Sequence, residues 1–139
     1  MEAFPFTEAE WSAVSGAALP VVNAALSGDA VVRASRLGDL LDVLAELRVR
    51  HGDHPALLET EADFTEDDGE RVALYRRAVA VAVANGLQTL SIRLSLARVL
   101  LESGRPSEAA PELAACENEL ADGDESDRAA WSELAAEAR

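Results

Sequence analysis

Residues 71–86 read RVALYRRAVAVAVANG, and the fold class turns on them. The alternation from Ala78 to Ala84 has the period of two that marks a β-strand. Helix is nevertheless the better reading. Ala is a poor strand former and the best helix former. The segment Arg71–Asn85 is 15 residues long, and Asn85-Gly86 is a good helix stop. The spacing therefore predicts a helix with small side chains on most faces, which can pack closely.

Composition extends that reading to the whole chain. Of 139 residues 28 are Ala and 19 Leu, about a third in all, and only 4% are aromatic. Upstream, Thr7 and Glu10 have capping-box spacing, so a helix is expected from Thr7. Trp11, Val14, Ala18, Val22 and Leu26 form its apolar face, with Gly16 and Pro20 expected to bend or split it. Asp29 caps a second helix to about Arg50, with Val32, Leu37, Leu40, Leu41, Leu44 and Leu47 on one face. A short helix over 54–65 follows the turn at His51–Pro55, and Asp67 with Glu70 repeats the box spacing.

Downstream, 87–103 is the most apolar helix. Leu87, Leu90, Leu94, Ala97 and Leu101 make one stripe, widened by Leu96 and Leu100, and Gly104 stops it. Pro106 opens the next helix, which Pro111 should strain or kink. A last helix is expected over 125–138. About seven helices with short loops predict an all-α protein of antiparallel neighbours. The length suits one helical domain, 1–139, with N-terminal helices over 1–50, helix pairs over 54–122 and a capping helix over 125–138.

The net charge is -14, from 26 acids against 12 Arg and no Lys. It is unevenly spread. Residues 53–70 carry eight acids and no base, 71–105 carry six Arg and one acid, and 106–139 carry ten acids and two Arg. A polyanion repels nucleic acid and anionic membranes, so neither is expected as a partner. No run is apolar enough to span a bilayer, and MEAFPFTEAEW lacks the basic start and apolar run of a signal peptide. A single Cys cannot form an internal disulfide. A cytoplasmic location is expected. The absence of Lys beside abundant Ala and Arg points to a GC-rich bacterial source.

Two segments look related at an offset of 38 residues, which pairs Leu58 with Leu96, Ala62 with Leu100, Tyr75 with Leu113 and Ala78 with Cys116. A helix pair repeated at this period is the mark of an α-solenoid. Leu96-Ala97, Leu100, Gly104, Ala109, Leu113 and Cys116 follow the large–small–large–glycine–small spacing of the tetratricopeptide repeat, and Leu74–Ala78 resembles that family's second-helix stretch. The chain resembles the family over about 54–122. It departs from it at Arg93, where the family has Trp, at Arg71, where a small residue is usual, and at Ala121, where the family has Pro. The resemblance implies a short solenoid that binds a peptide in a groove lined by first helices.

In 87–103 the polar stripe Ser91, Ser95, Arg98 and Glu102 lies opposite the Leu stripe. The resemblance puts these residues, with Arg93 nearby, at or beside the groove, and Arg98 can fork to a carboxylate. The alternative is the solvated face of an amphipathic helix. Arg71, Arg76 and Arg77 extend a positive groove or, more simply, pair with the 53–70 acids. His51, Asp53 and His54 lack a zinc pattern and read as incidental loop residues. Cys116 reads as a buried small residue, and Trp11 and Trp131 as caps over the ends of a stack.

No nucleophile, metal or phosphate motif is present, so neither catalysis nor a cofactor is expected. The leading expectation is a non-catalytic module that binds a protein or peptide. The alternative is an acidic inhibitor, such as an antitoxin, an immunity protein or a DNA mimic, acting on a basic partner.

Overall fold

The computed structural model describes all 139 residues. It holds seven α-helices and no strand: α1 Glu8–Leu26, α2 Ala30–His51, α3 Pro55–Phe64, α4 Asp68–Ala84, α5 Leu90–Glu102, α6 Pro106–Cys116 and α7 Glu125–Glu137. A 3-10 segment, Glu117–Asp122, continues α6. No helix is long and apolar enough to cross a membrane.

The deciding stretch is helical. Asp67 accepts the Glu70 amide at 2.9 Å and starts α4. Gly86, at φ 67°, ends it in a Schellman motif: its amide bonds Val83 O and the Leu87 amide bonds Ala82 O at 2.9 Å. The same pairing closes α5 around Gly104, from Gly104 to Leu101 O and from Arg105 to Leu100 O. A side chain at either glycine would be forced into the left-handed region.

Contacts gather the chain into two compact units, Met1–Leu57 and Leu58–Arg139, with the boundary inside α3. In the first, α1 and α2 pack as an antiparallel hairpin. Glu10 at the start of α1 meets Arg50 at 3.3 Å and His51 at 3.1 Å at the end of α2. The expected capping box is present, with Thr7 and Glu10 bonding each other's amides. Pro20 does not split α1, which is one helix. The carbonyl that loses its partner belongs to Gly16, four residues back, where no side chain crowds the proline ring.

The apolar faces of the hairpin are narrower than expected: Val14, Leu40, Leu44 and Leu47 are buried as expected. The buried residues are Val14, Val21 and Ala24 in α1 and Leu40, Leu44 and Leu47 in α2. Val22, Leu26, Val32 and Leu41, expected inside, are exposed. A two-helix hairpin buries one narrow seam, and the seam selected leaves a second apolar stripe outside on each helix.

The histidines are structural rather than incidental. His54 is 2% exposed. Its Nδ1 accepts the Ala56 amide at 3.1 Å, so Nε2 carries the proton and donates to Glu2 O at 2.9 Å. Phe6 stacks edge-on against both His51 and His54 and also packs with Phe4 and Trp11. The N-terminal segment is thus tied to the turn after α2. Trp11 serves this aromatic cluster.

In the second unit α4, α5, α6 and α7 follow one another with antiparallel neighbours. Ser103 after α5 bonds Asp68 at the start of α4, at 3.2 Å. Thr89 before α5 bonds Glu119 after α6, at 2.6 Å. The core joins Leu58 and Ala62 to Tyr75, Ala78, Ala82, Leu94, Leu96, Ala97, Leu100, Ala109, Leu113 and Cys116. Alanines without exposed surface (Ala62, Ala78, Ala82, Ala97, Ala109) let the helix axes approach, and Leu96 and Leu100 fill the spaces between. Each fully buried Leu contributes about 1.5–3 kcal/mol.

The 38-residue offset recurs in the element boundaries. α3 ends at Phe64 and α5 at Glu102; α4 begins at Asp68 and α6 at Pro106; α4 ends at Ala84 and the 3-10 segment at Asp122. All four paired positions, Leu58 with Leu96, Ala62 with Leu100, Tyr75 with Leu113 and Ala78 with Cys116, are buried on both sides.

Candidate functional site

α5 runs between α4 and α6 and also meets α7, so little of its surface faces water. Its polar stripe is the part that does. Ser91, Arg98 and Glu102 are exposed and Ser95 and Arg93 half-buried.

The structure separates these residues by occupation. Ser91 donates to Glu59 at 3.0 Å, and burial raises the Glu59 carboxyl above its usual range while that bond lowers it. Arg93 faces inward to acids of its own chain: Nη1 reaches Glu112 at 2.7 Å and Nε donates to the Thr89 hydroxyl at 2.9 Å. Ser95, Arg98 and Glu102 remain on one face, two turns long, and Arg98 stands outside the ion pairs that engage its neighbours.

Those pairs reshape the charge of the central segment. Arg76 bonds Glu108 at 3.2 Å and approaches Glu112 at 3.8 Å. Arg105 bonds Glu108 at 2.7 Å and holds that carboxyl below its ordinary range. Arg71 lies 3.9 Å from Asp68. No continuous positive groove results. The neutralising acids include Glu108 and Glu112 of α6 and, from the 53–70 block, Asp68 beside Arg71. Residue order separates α4 from α6, yet the α5 crossover brings their charged faces together.

Sequence reading missed the N-terminus of α5. The helix starts at Leu90 rather than Leu87, and Thr89 makes no side-chain cap of its own. The cap comes from Glu119, whose carboxylate accepts the Thr89 amide at 2.7 Å and the Leu90 amide at 3.2 Å. A carboxylate there satisfies orphan amides and complements the helix dipole. Glu119 is thus a structural acid, like Glu112 in the same acidic block.

No family model, curated protein or solved structure matches the chain.

The remaining reactive groups are occupied. Cys116 is fully buried and donates to Glu112 O, and burial pushes its thiol up to about 11. A thiol held so far above neutral pH is a poor nucleophile. The Tyr75 hydroxyl donates to Asp63 and lies well above the ordinary phenol range, through burial first and then that carboxylate. Trp131 lies against the core with its indole donating to Leu113 O at 2.7 Å. His51 and His54 each have the partners given above.

Proposed function

We propose that this chain is a non-catalytic interaction module, similar to a tetratricopeptide helix pair, that holds a peptide carboxylate on the Ser95, Arg98 and Glu102 face of α5. The observation that carries the reading is Arg98, an exposed guanidinium outside its neighbours' ion pairs, on a helix whose other faces are packed. A guanidinium in that state binds a carboxylate through two parallel hydrogen bonds without first breaking an internal pair. The shared 38-residue boundaries and paired buried positions support the family likeness. The buried, unreactive thiol suits a cytoplasmic protein.

Selection from a random peptide library with free carboxyl termini tests this reading. Enrichment of peptides that lose binding when their terminal carboxyl is amidated, or their acids are neutralised, is the expected result. Failure to enrich any such peptide would overturn it.

One observation favours a second reading, an acidic inhibitor of a basic partner. The central arginines are spent on Glu108, Glu112 and Asp68, which leaves Glu117, Asp122, Asp124 and Glu125 exposed beside few cations. Such a field speeds capture of a cationic protein and weakens steeply with salt. Charge reversal at Glu117, Asp122 and Glu125 tests this mode. Glu119 is unsuitable for that purpose because its loss would uncap α5.

A further inference from the structure

His54 stands just before α3, is 2% exposed, and has both ring nitrogens bonded to backbone. Nδ1 accepts the Ala56 amide at 3.1 Å, and Nε2 donates to Glu2 O at 2.9 Å. One neutral imidazole therefore joins the segment 2–6 to the first turn of α3. Phe6 completes the attachment. It is 7% exposed and lies against Trp11, His51 and His54, at ring-centroid distances of 5.3, 4.8 and 5.1 Å.

We propose that His54 is a proton-sensitive latch: acid protonates its ring, breaks the bridge between Ala56 and Glu2, and frees residues 2–6 from the hairpin. The argument rests on what each nitrogen must do. An imidazolium carries N–H on both nitrogens and accepts nothing. A proton added at Nδ1 points at the Ala56 N–H, donor against donor. Ala56 is the second residue of α3, and an amide there has no partner within the helix, so it needs the acceptor it loses. The positive end of the helix dipole also opposes a cation at this place. A ring so nearly closed to water gains no hydration for its charge. The protonated ring therefore turns out to solvent, and turning breaks the Nε2 bond to Glu2. Phe6 loses a ring it packs against, and its place beside Trp11 and His51 opens.

The carboxylates on the surrounding elements are engaged elsewhere. Glu10 of α1 bonds His51 and Arg50 of α2, and Asp53 of the turn bonds Arg48. Glu59, the first acid of α3, accepts from Ser91, and Glu2 is exposed. His51 responds in the opposite sense. Its Nε2 lies 3.1 and 3.2 Å from the two oxygens of Glu10, so a proton there strengthens the tie between α1 and α2. The two histidines share Phe6 as a neighbour, yet acid holds the hairpin through one and releases the segment through the other. A freed ring takes up a proton that the latched ring must refuse, so falling pH favours release.

Nuclear magnetic resonance on the full chain between pH 8 and about 5, the span in which an imidazole changes charge, tests the latch. The His54 ring nitrogens should report the Nε2–H form at the upper end and the imidazolium at the lower. Backbone order parameters at Ala3, Phe4 and Phe6 should fall from about 0.85 to below about 0.6, while those within α1 and α2 hold. The fall should share the midpoint of the His54 titration. His54→Gln takes no proton, so H54Q should show no such step, and the wild-type titration decides alone if H54Q does not fold. A segment that stays ordered at about pH 5 would overturn the proposal, whatever the state of the ring. So would a release that follows the His51 titration instead, or one that H54Q retains.

Discussion

Glu119 closes the N-terminus of α5 through Thr89, 30 residues earlier in the chain: its two carboxylate oxygens take the Thr89 amide at 2.7 Å and the Thr89 hydroxyl at 2.6 Å. The bond ties the start of the central helix to the 3-10 segment after α6, and Arg93 bridges from Thr89 to Glu112 on the same side. Glu119→Ala should destabilise the protein by about 2 kcal/mol, the upper range for a lost helix cap. Glu119→Gln keeps an acceptor and should lose about half as much. Urea unfolding followed by circular dichroism measures both. Equal stability of wild type and E119A would remove the cap from the account.

Trp131 performs a related task in the last turn of α6. Beyond Ala114 the helix tightens to 3-10, so the Glu117 amide bonds Ala114 O and leaves the Leu113 carbonyl to the Trp131 indole at 2.7 Å. Trp131→Phe retains most of the apolar contact and loses the donor, an expected cost of about 1 kcal/mol. Trp131→Ala should cost about 3 kcal/mol or more. Thermal melts that rank W131F equal to W131A would show that the hydrogen bond, not packing, dominates.

Glu10 predicts an acid limb of stability in the N-terminal hairpin. The Thr7 amide first, then His51 and Arg50, hold its carboxyl at about 2, against 4.5 for the ordinary group. A depressed carboxylate stabilises the fold above its unfolded value and loses that contribution as pH falls through the folded one. The difference in stability between wild type and Glu10→Gln should therefore shrink as pH falls from 4.5 toward 2. Urea melts of both proteins across pH 2–6 read it directly. A difference independent of pH would contradict the pairing.

Cys116 should be silent to thiol reagents in the folded state. Its burial and its raised thiol, at about 11, leave almost no accessible thiolate at neutral pH. Labelling by a chromogenic disulfide should proceed at the rate of global opening, and should become immediate in denaturant. Fast labelling of the native protein would show that the α6 core opens on its own.

Much of this architecture was legible in local signals. Thr7, Asp29 and Asp67 announced helix starts because a cap acts over three residues, and Gly86 and Gly104 announced stops for the same reason. What escaped was non-local. α5 was misplaced by three residues because its cap comes from Glu119. Val14, Leu40, Leu44 and Leu47 were legible as core, but the hairpin's faces were drawn too wide, because Val22, Leu26, Val32 and Leu41 fit a helical stripe as well as the buried residues do and periodicity alone cannot set its edges. The polar face of α5 was legible as a face. The capture of Arg93 by Glu112 and of Ser91 by Glu59 depended on packing between helices.

The central claim is that Arg98 holds a partner's carboxylate. Its most direct test is the affinity of a library-selected peptide for wild type, for Arg98→Ala and for the Glu117→Lys, Asp122→Lys, Glu125→Lys triple variant, by isothermal titration at fixed salt. Arg98 is exposed and apart from the core, so R98A should melt like wild type. The account predicts that R98A weakens binding at least tenfold and the triple variant by less than twofold. Unchanged binding by R98A, with loss in the triple variant, would contradict it.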